Sequence, residues 1–294
     1  MFYSKVKALA SALCICAVAG TLLAGCGGEK PAADKTGKSS EEVTRVGMLA
    51  NLNVSEQQYT TMIRNAEKRA GRVMKPSEIV YYDNMNTLMM GLDSKSLDEI
   101  SVYQCMADYM TATNPKLVPV DYTKVELVDS FCCAVRKDDK ELLDLLNKGI
   151  ESMKSDGSLD ALTDQYIKNA KGSENMPAVP LTKIEGAATI KIGFTGDLPP
   201  IDLALPDGSP AGFNTAVLAE LGKRIGKNIE MVPISSGSRA VALESRKIDV
   251  VFWAILPAKD AANLRPADID KPEGLAMTNP YFSDKITHIA EKEK

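Results

Sequence analysis

An ungapped repeat is the feature that most constrains what this 294-residue chain can fold into. Gly91-Leu92-Asp93-Ser94-Lys95-Ser96-Leu97-Asp98 lies over Ala242-Leu243-Glu244-Ser245-Arg246-Lys247-Ile248-Asp249. Each octet reads as the end of a short helix, a polar turn, an aspartate and the start of an apolar strand. The same alternation of strand and helix surrounds both. Two similar β-α-β-α-β units are therefore expected, and parallel strands with crossover helices favour two doubly wound lobes over one long sheet.

In the first half, 43–49 reads as a strand. Ser55 with Gln58 forms a capping-box pattern. It opens a helix with Tyr59, Met62, Ile63 and Ala66 on one face, which Gly71 ends. Strands are expected at 79–82, 99–103 and 130–136, and short helices at 86–92 and 106–112. Lys140–Ser155 places Leu142, Leu146, Ile150 and Met153 on one side, and a second helix follows at 160–167. Residues 171–186, rich in Pro, Gly and charge, read as a linker. In the second half, Thr189–Phe194 alternates as a half-buried strand. Asn214 is expected to cap a helix that buries Val217, Leu218, Leu221 and Ile225 and stops at Gly226. Strands at 229–233 and 249–253 flank a helix through Leu243, and 281–291 is a last extended segment.

The N-terminus speaks to compartment. Lys5 and Lys7 precede an apolar run from Ala8 to Leu23 that ends in Leu23-Ala24-Gly25-Cys26. Length and flanks are those of a secretory signal, not a membrane span. The end resembles a lipobox, which implies removal of residues 1–25 and acylation of Cys26. An ordinary cleaved signal with an incidental Cys26 is the alternative. Residues 26–42 are small, polar and aromatic-free, and read as a flexible tether. An extracytoplasmic protein, lipid-anchored to the cell membrane, is expected.

About 250 residues remain, enough for two lobes with sizeable cores. A formal net charge of −4 carries no nucleic-acid footprint. Cys105, Cys132 and Cys133 remain after Cys14, Cys16 and Cys26 are assigned to the N-terminal signal. Neighbours on a strand point to opposite faces, so Cys132 and Cys133 are not expected to bridge, and buried apolar thiols are. With one histidine, His288, no His-based metal site and no cofactor are expected.

Several segments together resemble a known family. Ile190–Pro200 in IKIGFTGDLPP, Gly212-Phe213-Asn214, Leu243 to Asp249 and Asn279-Pro280-Tyr281-Phe282 are similar to the first lobe of the family 3 bacterial extracellular solute-binding proteins. Residues 79–83, 92–98 and Tyr109 look like their second lobe. Cys133-Ala134-Val135-Arg136-Lys137-Asp138-Asp139 with 142–167 looks like the returning hinge strand and closing helices. The resemblance implies an α/β, two-lobed periplasmic-binding-protein fold of type II that captures a small polar or aromatic solute for an ABC importer. It also implies a monomer and no enzymatic activity. The parts occur once each but in rotated order, which implies a circular permutation. The expected boundaries are a second-lobe-like unit at 43–129, hinge strand and closing helices at 130–170, a linker at 171–187, a first-lobe-like unit at 188–283 and a hinge strand at 284–294. A tandem pair of truncated modules is the alternative order.

The resemblance also shapes the expected pocket. Amino-acid binders of the family place hydroxyls and a carboxylate-binding arginine after the strand that ends here in Trp253, and an ammonium-binding aspartate where Tyr103 stands. Those groups are missing, so simple zwitterionic amino acids are not the expected ligands. Trp253 and Tyr103 are expected to end equivalent strands as an aromatic clamp, with interlobe core as the plainer reading. Asp197 is a ligand contact or a turn residue. Arg239 is an anion partner or a solvated arginine. Asn51 and Gln104 are polar candidates, and Lys259 is a rim charge of little weight. Two other classes stay open: a surface sensing or interaction module that has lost its ligand, and a dehydratase-like enzyme acting on cyclic acids, which would need an acid/base group in the cleft.

Overall fold

A computed structural model describes residues 43–69, 77–120, 127–170, 176–258 and 265–292. The signal, the tether, Cys26, Gly71, Lys259, the Ala66 side chain and residues 171–175 of the linker lie outside the described residues. In chain order the first half contains β1 (Thr44–Leu49), α1 (Glu56–Arg69), β2 (Ser77–Tyr82), α2 (Met85–Asp93), β3 (Glu99–Tyr103), α3 (Gln104–Thr113), β4 (Leu117–Val120), β5 (Val128–Arg136), α4 (Lys140–Ser155) and α5 (Ser158–Thr163), which runs into a π turn, Asp164–Lys168. The second half contains β6 (Thr189–Phe194), β7 (Asp197–Leu198), β8 (Asp202–Ala204), β9 (Pro210–Ala211), α6 (Phe213–Ile225), β10 (Asn228–Pro233), a 3-10 turn (Ser236–Ser238), α7 (Arg239–Glu244), β11 (Val250–Pro257), β12 (Leu275–Met277) and β13 (Phe282–Glu291).

The strands form two half-sheets with one design. In the first, β2, β1 and β3 are parallel, β13 pairs antiparallel with β3, and β4 pairs with β13. In the second, β10, β6 and β11 are parallel, β5 pairs antiparallel with β11, and β12 pairs with β5. Each lobe thus sets a strand from the other half of the chain between its own third and fourth. The two guest strands also pair with each other, Phe282 opposite Phe131 and Lys285 opposite Val128. They cross between the lobes side by side, and this is the two-lobed type II α/β fold.

The repeat holds at the level of single bonds. Lys95 and Arg246 both take φ of 61°, the left-handed turn that ends a helix. The Asp98 carboxylate accepts the Arg45 amide at 2.7 Å, and the Asp249 carboxylate accepts the Lys191 amide at 3.0 Å. Both aspartates therefore tie their turn to the first strand of their lobe. Three residues before the octets, the equivalent positions differ: buried Leu88 in one lobe, buried Arg239 in the other.

Helices α4 and α5 pack on α6, far along the chain. Gly149 makes the approach possible, because a Cβ there would stand 2.3 Å from Leu221 Cδ1 and 2.9 Å from Ile225 Cγ2. Arg224 on α6 donates to Ser152 and Ser158 at 2.9 and 3.0 Å and pairs with Asp156 at 2.6 Å. The amphipathic stripe of α4 buries Leu146, Ile150 and Met153 against this face. Cys105, Cys132 and Cys133 are free and buried.

Three local expectations are corrected. Asn214 does not cap its helix. Gly212 does, at φ 93°, where a Cβ would meet Ile201 O at 2.8 Å. The Phe213 and Asn214 amides donate instead to the Pro200 and Ile201 carbonyls, and the Asn214 side chain accepts from Tyr281 Oη at 3.2 Å. Helix α3 begins at Gln104, not at 106. Strand β11 does not end at Trp253 but continues to Pro257, with its register shifted between Phe252 and Ala254. Strands β4, β7, β8, β9 and β12 were not anticipated, because two to four residues show no period.

Candidate functional site

The carboxyl ends of β1 and β3 from one lobe face β11 of the other. That is where ligands bind in open α/β sheets. A cavity of about 50 Å³ lies there, lined from both lobes and from the two crossing strands. At about 10–15 Å³ per ordered water it has room for a few waters or a small organic group.

Trp253 reaches this space because of the bulge in β11. Its φ of 134° is rare for a bulky residue. Arg239 holds the distorted backbone. Its Nη1 donates to the Trp253 carbonyl at 2.6 Å, its Nε to the Ser236 carbonyl at 2.9 Å, and its guanidinium lies 4.7 Å from the centre of the Trp253 ring. Its Nη2 crosses to the other lobe and donates to the Ala50 carbonyl at 2.6 Å. Asp270, 4.0 Å from Arg239 Nη1, accepts from the Ile255 amide at 3.1 Å and from the Leu52 amide of the opposite lobe. Burial lowers the Arg239 pKa and raises that of Asp270, and each charge opposes the shift in the other.

A second ion pair closes the other side. Arg265 Nη2 donates to Asp129 Oδ1 at 2.5 Å, and Nη1 to Oδ2 at 3.0 Å. Tyr103 Oη donates to the same Oδ2 at 2.9 Å. Burial, and then the Asp129 charge, keep the Tyr103 phenol well above its ordinary pKa. Tyr103 meets Trp253 edge to face, with ring centres 6.4 Å apart and planes at 84°.

The residues named from sequence separate into two groups. Trp253, Tyr103, Arg239 and Asn51 all line the cavity. Asn51 donates to Tyr81 Oη at 2.9 Å. Arg239 is not solvated. It is 3% exposed, because each of its nitrogens has a carbonyl acceptor that water would otherwise supply. Gln104 does not line the cavity and donates to Asp108 one helical turn on. Asp197 lies outside the cavity lining too. Its carboxylate crosses the cleft to the first turn of α2, accepting from the Met85 amide at 2.6 Å and the Asn86 amide at 3.3 Å.

Sequence reasoning missed Asp129, Arg265 and Asp270. Asp129 opens an apolar strand, a weak sign of a paired buried charge. Arg265 and Asp270 stand in a polar loop with no period. Among the described residues no cluster of metal-ligating side chains occurs, and no helix is long and apolar enough to cross a membrane.

The sequence model of the bacterial extracellular solute-binding proteins, family 3, matches residues 38–169 and 190–262. The chain belongs to that family. A curated relative, the "Probable histidine-binding protein" of Campylobacter jejuni, is 27% identical over 101 residues, which is 34% of this chain and 39% of the relative. The match thus spans well under half of that protein's length. Among solved structures, the chain is similar to the ligand binding component of an ABC-type import system from Staphylococcus aureus, solved with zinc bound, at 11% identity and a TM-score of 0.44 over 85% of this chain and 66% of that one. It is also similar to the methionine binding protein MetQ, at 11% identity and a TM-score of 0.39 over 85% of this chain and 83% of that one.

Direct polar ties already join the lobes across the cleft: Arg239 to Ala50, Asp270 to Leu52, Asp197 to α2, and the Ser236 amide to the Asp83 carbonyl at 2.8 Å. Such ties favour the closed arrangement of the two lobes.

Proposed function

We propose that the protein is a lipid-anchored, extracytoplasmic receptor that captures a small polar or aromatic solute between its lobes and presents it to an ABC permease. The cavity between facing strand ends, lined by Trp253, Tyr103 and Arg239, is the observation that carries this reading. Hinge closure in periplasmic binding proteins is a standing example of such capture. The solute must favour the closed state over the open one, since equal affinity shifts nothing. The histidine-binding name of the relative puts amino acids first among the classes to screen. Acylation of Cys26 would supply the anchor, and the protein would act as a monomer without enzymatic activity.

The test is a thermal-shift screen across amino acids, peptides and organic ions. A solute at a hundredfold excess over its Kd stabilises the folded chain by about 2.7 kcal/mol. Failure of every class would leave the second reading, a surface sensing module that has lost its ligand. The buried Arg265–Asp129 pair beside the cavity favours that alternative. Mass spectrometry of the mature N-terminus, with Cys26→Ser as the control, tests the anchor. An unmodified start elsewhere would remove it.

We also infer that the chain is a circular permutant, with a second-lobe-like unit at 43–129, hinge strand and closing helices at 130–170, a joining linker at 171–187, a first-lobe-like unit at 188–283 and a hinge strand at 284–294. The reciprocal guest strands β13 and β5 support this order, as does the packing of α4 and α5 on α6. The outer ends are also neighbours. Arg45 donates to the Lys95 carbonyl at 2.8 Å, and Lys95 pairs with Glu291. Termini that lie close together are what permutation requires.

A further inference from the structure

The chain between β11 and β12 starts and ends in the second half-sheet, yet its residues 265–270 are fastened to the other lobe. Asn53, in the loop after β1, donates its amide to the Ile269 carbonyl at 3.2 Å and its Nδ2 to the Asp268 carbonyl at 2.8 Å. The Leu52 amide donates to the Asp270 carboxylate. The Tyr59 phenol of α1 meets the Arg265 guanidinium. Connecting segments normally run over the surface, where water satisfies their backbone. This one is buried like a core element: Arg265 is 2% exposed, Ile269 0% and Asp270 1%.

The segment brings a carboxylate and a guanidinium to the cavity wall, where Asp270 and Arg265 both stand. Asp270 takes one amide from each lobe, Leu52 on Oδ1 and Ile255 on Oδ2. Arg265 takes the Asp129 carboxylate on the crossing strand β5. Touching both lobes at once is how a solute favours closure. A segment of the chain that does the same acts at the effective concentration set by its own links, whatever the solute supply. The cavity of about 50 Å³ is the space this segment leaves over.

Resting on the solute-binding reading, we propose that residues 265–270 are a built-in occupant of the cleft, which closes the lobes with no solute present and restricts entry to the cavity. A solute must then detach the segment from Leu52 and Asn53 before it can enter. Its apparent affinity is the intrinsic affinity weakened by the fraction of chains in which the segment is detached. Closure and solute occupancy are thereby uncoupled: the closed shape forms on the chain's own groups.

The chain has a single tryptophan and it lines the cavity, so quenching of its emission by acrylamide measures entry of a small neutral molecule. The Leu52 and Asn53 amides donate to the segment, so their hydrogen exchange measures the fastening. The solute-free full chain is expected to shield Trp253 and to protect both amides. Asn53 is exposed and outside the cavity lining, so its substitution leaves the cavity wall intact. Asn53→Ala is expected to raise quenching and both exchange rates about fivefold, the worth of one lost hydrogen bond. Asn53→Asp, which sets a charge against the Asp268 carbonyl, is expected to raise them further. Gly149→Ala loosens the seam between α4 and α6 and is expected to leave both readouts at the parent's values, which controls for a general loss of stability. Amides that exchange as fast as an unstructured loop, or a Trp253 quenched as fast in the folded chain as in urea, overturn the proposal. So does Asn53→Asp with both readouts unchanged. No solute enters this experiment, so its result is separate from the thermal-shift screen. A hit in that screen beside free access to Trp253 removes the occupant and keeps the solute-binding reading. A shielded Trp253 with no hit in any class keeps the closure by residues 265–270 and removes the solute-binding reading.

Discussion

Asp129 grips Arg265 through two parallel bonds, 2.5 Å to Nη2 and 3.0 Å to Nη1, with both side chains removed from water. A charge pair so buried is strong only while complete. Asp129→Asn is therefore expected to destabilise the fold by about 3–5 kcal/mol, because it strands a buried guanidinium. Adding Arg265→Met should recover most of that loss, since an apolar replacement for a whole buried pair is often neutral. Urea midpoints at constant slope measure both. A single Asp129→Asn variant within about 1 kcal/mol of the parent would contradict the buried pair.

Arg239 ties one lobe to the other through the Ala50 carbonyl. Arg239→Met keeps most of the stem and removes every donor. The ligand-free variant is expected to show a larger radius of gyration in small-angle scattering, and to lose about 2–4 kcal/mol as the Trp253 and Ser236 carbonyls lose the arginine and the Ala50 carbonyl keeps only the Ser236 hydroxyl. An unchanged radius would assign closure to the remaining ties.

Asp202 makes stability depend on pH. Burial pushes its carboxyl up to about 7, against the pull of the Thr195 and Gly196 amides, and its Oδ1 has no partner. The unfolded chain releases that proton near pH 4. Between those values the folded chain holds a proton that the unfolded chain has lost. The contribution is therefore full below about 4 and is lost as pH rises through about 7. Asp197, Asp270 and Asp284 are raised by burial as well, with the same sign. Stability at pH 8 is expected to fall below that at pH 5, by at most about 3 kcal/mol from Asp202, since pH 5 lies about two units below its folded value at about 1.4 kcal/mol per unit. Asp202→Asn should flatten most of the difference in a pH series of urea melts. A slope that survives the substitution would place the titration elsewhere.

Reversing the permutation proposed above should be tolerated. Joining residue 292 to residue 43 by a short flexible linker and opening the chain within 171–175 keeps every element of both half-sheets. Ends already gathered at Lys95 make the closure short, and loop length changes stability by only about 0.6 kcal/mol per doubling. The expected product has the circular dichroism of the parent and a urea midpoint close to it. Loss of cooperative unfolding would show that the present connection at 171–187 does more than join.

Gly149 tests the seam between α4 and α6. Gly149→Leu would drive atoms into Leu221 and Ile225, and is expected to destabilise by about 1–3 kcal/mol or more through overpacking. Gly149→Ala should fall between the two in a thermal melt. A neutral Gly149→Leu would mean that the helices separate at little cost.

What was legible in the sequence is what neighbours in the chain decide. The matched octets anticipated two turns that adopt the same φ at Lys95 and Arg246, since helix ends and turn chemistry depend on a few adjacent residues. Strand and helix periods located most long elements within a few residues, and alternation between them implied two α/β lobes. Tyr103 stands at the cleft because it ends β3, a position that strand pattern reveals, whereas Trp253 lies in mid-strand on β11 and reaches the cleft through the bulge. The repeat even held an unread hint: an arginine at 239 where its counterpart is the apolar Leu88 marks a buried site, not a solvated one.

Tertiary structure alone decided the chemistry of the cleft. Whether an arginine is buried depends on what meets its nitrogens, and the partner of Arg265 stands 136 residues away on a crossing strand. Asp197 engages a helix 111 and 112 residues earlier in the chain, so nothing near it in sequence could separate a ligand contact from a bridge between lobes. The bulge that turns Trp253 into the cavity arises from the mismatch between β11 and its antiparallel guest β5, and the register of a strand is set by its partner. Local pattern determines which elements form. The pairing of distant charges and strands determines which residues line the cavity.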